Sequence, residues 1–571
     1  MLWRRRKLTK EIEADEIFID SSNLPEYDTD HFEGRIERPI GRTAVLLTLI
    51  AVFAVVALYT GRAFNLQFFN GAAYAKQAAE NQLAEEIIFA ERGVLEDRVG
   101  RPLAYNEVGT SGDDFAKRTY APLRGVAHVV GYVKAPQKDS SGFYFRTSFE
   151  GIDGIEETLG AALEGQNGIT LTETDAKGKV ISESLRVAPR QGAKVRLSID
   201  ALVSEGLYDA LKARAVASGF QGGAGVVMDV ETGEIIALVS YPEYSSQALT
   251  DGDKEALALA SADPGQPFLN RPVRGLYSPG SIIKPFMAVA ALTEGIIDEH
   301  KQILSTGSIS IPNPYNPDLP SIFKDWRAHG WVDMRRAIAV SSDVYFYAVG
   351  GGYKDQTGLG IERIDNYFRL FGFGSPTGLL GFEEPSGTIP TPEWKLENFD
   401  GDPWRLGNTY HTVIGQYGMQ VTPLQAARAT AALANGGYLL TPSLIASSTP
   451  ARVALNLPAH NLDVAKEGMR MSVTEGIATA LNISDFKVAA KTGTAQVGVK
   501  NEFINSWIVG FFPYERPRYA FALVLERGPA STLIGASAAG GEFMRFLQAE
   551  APEYTKNRGP SSVFDTEDGP L

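Results

Sequence analysis

The sequence predicts an α+β protein: an antiparallel sheet covered by helices, after a single transmembrane helix and a mainly β stalk domain. Three observations predict it. A run of 19 uncharged residues, 43–61, lies between Arg42 and Arg62. Hairpin signatures stand at both ends of the downstream region. Residues 224–229 and 234–240 flank the turn Glu231-Thr232-Gly233, and 504–512 and 519–526 flank the turn 513–518. Between the hairpins, stretches such as 281–295 and 424–435 have helical patterning.

Composition narrows the function. The 571 residues carry a net charge of 54 − 68 = −14, are 44% hydrophobic and 21% charged, and include no cysteine. The apolar fraction excludes a mainly disordered chain. The acidic balance, with no dense basic stripe, argues against nucleic-acid binding. Zero cysteine excludes disulfide staples, cysteine zinc sites, iron–sulfur clusters and thiol catalysis.

The elements follow in order. Residues 1–42 form a tail, acidic over 8–34 and expected to be largely disordered. At about 1.5 Å rise per residue, residues 43–61 span roughly 30 Å, the thickness of a bilayer core, and are expected to form a transmembrane anchor. The tail carries Arg4, Arg5, Arg6, Lys7, Lys10, Arg35, Arg38 and Arg42, so the positive-inside rule places the N-terminus in the cytoplasm and the rest outside. The Ala- and Glu-rich stretch 72–88 reads as a helix leaving the membrane. Strands and turns are expected over 91–131, a helix over 151–163 and strands over 168–197. Residues 62–198 group as an extracytoplasmic stalk, 199–550 as the main domain, opened by an amphipathic helix over 201–217, and 551–571 as a disordered tail.

Chemistry concentrates in three short motifs. A serine hydrolase without a histidine base can pair Ser with Lys at i and i+3, which puts both side chains on one helical face. Ser-x-x-Lys occurs at Ser281–Lys284, Ser321–Lys324 and Ser484–Lys487; composition alone predicts about two. Context favours the first. Ser281 follows a Tyr277-Ser278-Pro279-Gly280 turn and leads an apolar run through Phe286, Met287, Val289 and Leu292. Pro285 is expected to remove a helical hydrogen bond and strain the first turn. Ser321 reads as part of a Pro- and Asn-rich loop. The second motif is Ser341-Ser342-Asp343, whose plainer reading is a helix N-cap. The third is Lys491-Thr492-Gly493-Thr494, after the strand-like 488–490; Lys-Thr-Gly occurs once.

Order and spacing, 60 and then 150 residues, resemble the active-site set of penicillin-binding proteins and serine β-lactamases. The resemblance covers most of the chain from the anchor to about residue 545. Arg92-Gly93-Val94-Leu95-Glu96-Asp97-Arg98 with Leu103-Ala104-Tyr105-Asn106 is similar to the family's stalk signature, and 224–241 to its first hairpin. Trp394-Lys395, Gly415-Gln416, Val421-Thr422-Pro423-Leu424-Gln425 and Asn435-Gly436-Gly437 are also family-like. The short membrane-proximal segment, without a glycosyltransferase motif, resembles monofunctional class B members. Asp343, and Asp325-Trp326 before His329-Gly330-Trp331-Val332-Asp333, resemble the elongation-type branch.

The resemblance implies a peptidoglycan D,D-transpeptidase, without cofactor, that β-lactams acylate. Ser281 would attack the D-Ala-D-Ala carbonyl, and Lys284 would take its proton. Ser341 and Lys491 would return a proton to the leaving D-alanine. Asp343 would position Lys284, and Thr492, Gly493 and Thr494 would bind the substrate. It also implies partners: stem peptides, the membrane, a multi-spanning glycosyltransferase of the shape–elongation–division–sporulation class, and elongation-complex proteins, with no nucleic acid. Departures from the family pattern are the short stalk between Asn106 and Tyr120, Asn408 and His411 where Asp and Asn are usual, and Tyr417 where Gly is usual. Some relatives hold zinc before the second motif with a cysteine. Here Asp325 and His329 are two candidate ligands, too few to close a site, and no metal is expected. The competing readings are a division-type transpeptidase, a carboxypeptidase or β-lactamase, and a non-catalytic scaffold or β-lactam sensor. The long stalk and the anchor disfavour the second, and the intact Ser281, Lys284 and Lys491 disfavour the third.

Overall fold

The computed structural model describes residues 42–556 except 81, 110–112, 175–179, 314–315, 317 and 447–450. The expected disordered tail over 1–41 and most of that over 551–571 lie outside the described residues.

By Cα proximity the chain divides into two units, residues 1–85 with 171–184 and residues 86–170 with 185–571. The first contains helix α1 (Arg42–Phe64), continued by a π-helical turn, Asn65–Phe69. Together they make one helix of 28 residues, long and apolar enough to cross a membrane and exposed throughout. The expected helix over 72–88 is shorter. It runs Gly71–Glu80, and Gln82–Ile88 is a strand in a three-stranded sheet with Gly168–Thr174 and Val180–Val187. Pairing with a neighbouring strand outweighs the modest helix preference of Ala and Glu.

The second unit holds residues 86–170 together with 185–571. Its centre is a five-stranded antiparallel sheet of β1 (Gly222–Asp229), β2 (Ile235–Tyr241), β3 (Ala489–Val497), β4 (Phe503–Phe512) and β5 (Tyr519–Pro529), in the order β2-β1-β5-β4-β3. The two predicted hairpins therefore meet side by side, with Gly222 opposite Glu526 and Asp229 opposite Tyr519. Alternate residues enter two cores. Val226, Met228, Ala522 and Val524 face one; Val227, Phe521, Leu523 and Leu525 face the other. With both faces covered, the strands read as nearly continuous apolar runs.

Helix α2 (Ala201–Ser218) and the C-terminal helix α9 (Ala536–Glu550) cover one face. Asp200 caps α2 by accepting from Leu202 N (3.0 Å) and Val203 N (3.3 Å), and Gly219 ends it at φ 73°. The other face holds α3 (Lys284–Thr293), α4 (Met334–Val340), α5 (Asp343–Gly351), α6 (Leu406–Val413), α7 (Pro423–Ala434) and α8 (Ala459–Thr474). The chain stays ordered past 551. Tyr554 is buried, and its hydroxyl donates to Asp200 Oδ2 at 2.7 Å.

Within this unit, part-buried polar contacts fasten residues 125–153 to the segment that follows β2. Glu243 accepts from Gly125 N (2.7 Å) and Ala127 N (3.1 Å), and Tyr244 Oη donates to Asp153 Oδ2 (2.6 Å). Burial pushes the Glu243 carboxyl up to about 7, against the pull of those two amides. In the same unit, Glu156 is fully buried between Arg92 Nε (2.5 Å) and Arg118 (2.8 Å).

Candidate active site

Three elements converge beside the edge strand β3. The turn that carries Ser281 is a 3₁₀ helix, Gly280–Ile283, and α3 begins at Lys284. The expected loss of a hydrogen bond at Pro285 is avoided, because Pro285 falls in the first turn of α3, whereas Lys284 before it is helical (φ −58°, ψ −39°), a conformation disfavoured ahead of proline. Ser342 caps α5 through Tyr345 N at 3.3 Å. The N-cap reading of the second motif therefore holds, for Ser342. Ser341 adopts a left-handed conformation, φ 58°, at the junction of α4 and α5. Lys491 lies within β3 opposite Val509, and Gly493 is a mid-strand residue opposite Trp507.

The three motifs meet at Ser341 Oγ. Lys491 Nζ lies 2.8 Å from it and Lys284 Nζ 3.2 Å. Lys284 Nζ also donates to Ser341 O (2.9 Å) and Asp343 Oδ1 (2.6 Å), and it lies 5.6 Å from the ring centre of Phe346. Both lysines are completely buried. Burial first, and the Lys284 charge second, hold the Lys491 amine well below its ordinary range, opposed by Asp343. Lys491 Nζ donates in addition to Thr492 O at 2.8 Å.

Glycines permit the close approach of these segments. A Cβ on Gly280 would lie 2.6 Å from Thr494 O, one on Gly493 2.6 Å from Pro279 O, and one on Gly415 2.2 Å from Gly280 O. The backbone of Ser281's turn therefore runs against Thr494 and Gly415. Gly280 N donates to Gly415 O (2.9 Å), Trp507 Nε1 to Ser278 O (3.0 Å), and Gln416 Nε2 to Thr494 O (3.4 Å). Ser281 is partly accessible, Thr492 half-buried and Thr494 exposed at the edge of β3.

The other Ser-x-x-Lys pairs stay apart from this cluster. Ser321 opens a strand, Ser321–Lys324, where a loop is expected, and Ser484 donates to its surface neighbour Asp485. Asn408 accepts from Lys395 Nζ and Arg405 N, so it braces a loop. His411 packs on Phe323 at 5.4 Å. Burial lowers its imidazole, opposed by the charge of Asp343. Tyr417 takes φ 62° and packs among Trp394, Phe399 and Trp404.

Asp325 and His329 do not fit a zinc site. His329 Nε2 has no hydrogen-bond partner and lies 3.4 Å from Asp325 Oδ1. No group of three or more His, Cys, Asp or Glu side chains forms a metal cluster among the described residues. Asp325 Oδ2 is taken by Ser305 Oγ (3.2 Å), Ser342 Oγ (2.8 Å) and Val344 N (3.0 Å). Sequence reasoning noted Asp325 only as one of two ligands too few for a metal site and missed this contact with the second motif; an acidic residue on an irregular loop gives no signal of it.

Sheet, helical layers and the serine–lysine cluster define the serine acyl-transfer class of α+β fold. The chain belongs to the penicillin-binding protein transpeptidase family. The family model described as penicillin binding protein transpeptidase domain matches residues 223–545, and that described as penicillin-binding protein dimerisation domain matches 109–197. The chain is 32% identical over 486 residues to the peptidoglycan D,D-transpeptidase MrdA of Haemophilus influenzae, covering 78% of this chain and 72% of that protein. It is similar to the penicillin-binding protein PBP2 in its complex with MreC from Helicobacter pylori, with a TM-score of 0.68 and 25% identity over 82% of this chain and 99% of that one. A chain of a peptidoglycan synthase complex that coordinates polymerization and crosslinking matches with a TM-score of 0.70 and 25% identity, covering 92% and 100%.

Proposed function

We infer that the protein is a peptidoglycan D,D-transpeptidase of the elongation type, working through an acyl-serine that β-lactams also form. The observation that carries this reading is Ser341 Oγ lying between Lys284 Nζ and Lys491 Nζ, beside the turn of Ser281. Ser281 Oγ attacks the carbonyl between the two terminal D-alanines of a stem peptide, and Lys284 accepts its proton. Ser341 passes a proton to the departing amine, and Lys491, disposed by burial to give up its own proton, supports that transfer. Asp343 holds Lys284. Thr492 and Thr494 take the terminal carboxylate at the open edge of β3. The backbone N–H groups of Ser281 and Thr494 stabilise the oxyanion, which supplies the largest rate contribution in such sites. An amine of a neighbouring stem peptide then attacks the acyl carbonyl, its proton passing to Ser341 and Lys491 while Lys284 returns a proton to the departing Ser281 Oγ, which forms the cross-link and resets the site.

We assign residues 62–198 to an extracytoplasmic stalk and 199–550 to the transpeptidase domain, with the helix from Arg42 as a single-pass anchor. The basic residues before it support a cytoplasmic N-terminus. The likeness to a chain of a peptidoglycan synthase complex and to PBP2 bound to MreC supports elongation-complex partners, among them a multi-spanning glycosyltransferase of the shape–elongation–division–sporulation class.

Fluorescent-penicillin labelling of the detergent-solubilised protein tests the reading. Stable labelling of wild type, lost in Ser281→Ala and Lys284→Ala, is expected. A folded wild type that takes no label overturns it.

A further inference from the structure

We propose that Asp325 and Trp326 form a metal-free clamp that positions Ser341 for proton transfer; this rests on the role assigned to Ser341 above. Ser341 sits in a left-handed conformation, which is strained for a non-glycine residue and so must be held by its surroundings. The loop 325–329 grips the chain on both sides of it. On the N-terminal side, Trp326 Nε1 donates to Val340 O at 3.2 Å. On the C-terminal side, Asp325 Oδ2 accepts from Ser342 Oγ (2.8 Å) and Val344 N (3.0 Å). The carboxylate is itself anchored. Its side chain is completely buried, Oδ1 accepts from Trp326 N (2.8 Å), and Ser305 Oγ donates to Oδ2 (3.2 Å).

The clamp spans residues 340–344 and leaves the Ser341 side chain free to face both lysines, beside the Asp343 carboxylate on Lys284. Ser341 Oγ must stay within hydrogen-bond reach of Lys284 and Lys491, and a displacement of about 1 Å at a reacting group costs on the order of 10²-fold in rate. In this chain the hydrogen bonds of one carboxylate and one indole hold the segment. The donor set at the same loop, with one carboxylate already saturated and one histidine, is too small to bind a metal that could do so. Asp325 and Trp326 are thus positioning residues: neither touches the reacting atoms.

The test uses the full-length protein in detergent, with fluorescent penicillin as the probe. It separates the acylation rate constant from the pre-acylation dissociation constant and from the fraction of protein labelled. Trp326→Phe removes one hydrogen bond from a half-exposed side chain and is expected to fold. Its acylation rate constant should fall about tenfold, with dissociation constant and labelled fraction unchanged. Asp325→Asn should lower the rate constant about 100-fold. A merely structural role would lower the labelled fraction or the melting temperature and leave the rate constant of the labelled fraction untouched, and that result overturns the proposal. So does a chelator-sensitive equivalent of zinc in the purified protein whose removal slows acylation. Absence of labelling in wild type removes the transpeptidase reading itself, whereas a labelled wild type matched in rate by both variants removes the clamp alone.

Discussion

Gly415→Ala perturbs the contact between two segments without touching a catalytic side chain. Gly415 has φ 78°, and its carbonyl accepts from Gly280 N at 2.9 Å. An added Cβ would lie 2.2 Å from Gly280 O and 2.8 Å from Gly280 C and N. Those atoms are backbone, so no rotamer relieves the overlap. Normal contact requires the turn before Ser281 to move by about 1 Å, which breaks the Gly280–Gly415 hydrogen bond. The cost has two parts: about 1–2 kcal/mol for alanine at positive φ, and a further ~1–3 kcal/mol for overpacking and the lost bond. Gly436→Ala separates them. Gly436 has φ 85° with nothing within 4 Å of its Cβ position, so it incurs only the first part. Urea unfolding followed by tryptophan fluorescence, with penicillin acylation of the same preparations, reads both quantities. Gly436→Ala should lose about 1–2 kcal/mol and acylate at the wild-type rate. Gly415→Ala should lose more and acylate on the order of 10²-fold more slowly. Equal stability losses in the two variants, or wild-type acylation in Gly415→Ala, would refute the steric argument.

Other predictions follow from the same geometry. Burial raises the folded pKa of Glu243 from its ordinary 4.5 to about 7. Its contribution to stability is therefore fully present below pH 4.5 and lost as pH rises through about 7, by up to ~3 kcal/mol. Melting temperatures of wild type should fall more steeply between pH 5 and 8 than those of Glu243→Gln; parallel curves would contradict the assignment. Glu156→Gln leaves the buried guanidinium groups of Arg92 and Arg118 without their anion and should cost about 3–5 kcal/mol, seen as early proteolysis of the stalk. Tyr417→Ala keeps the positive φ and loses the aromatic contacts, whereas Tyr417→Gly loses the contacts and relieves the backbone. The alanine variant should be less stable than the glycine variant by about 1 kcal/mol in urea titrations.

Much of the site is local in sequence and therefore legible there. Ser281 and Lys284 lie three residues apart on one turn, Ser342 is an N-cap beside Ser341, and Lys491 follows an apolar strand start. Each is a short-range pattern, and family resemblance joined them. Both hairpins carried their turn residues in plain view. The misread elements are those decided by distant partners. Residues 82–88 pair in a sheet despite helix-favouring composition, and Ser321–Lys324 pairs as a strand with Ser308–Ile311 instead of forming a loop.

The sequence by itself determined the helix apolar and long enough to cross a membrane, the α+β class and the three motifs. All three depend on side-chain type at fixed local spacing, which the chain carries into any conformation. Tertiary structure alone decided that Lys491 reaches Ser341 across 150 residues, that its amine is lowered by burial and by Lys284, and that Asp325 serves the second motif through hydrogen bonds. Those properties come from which atoms packing brings within about 3 Å and from the water it removes. No pattern along the chain encodes either one.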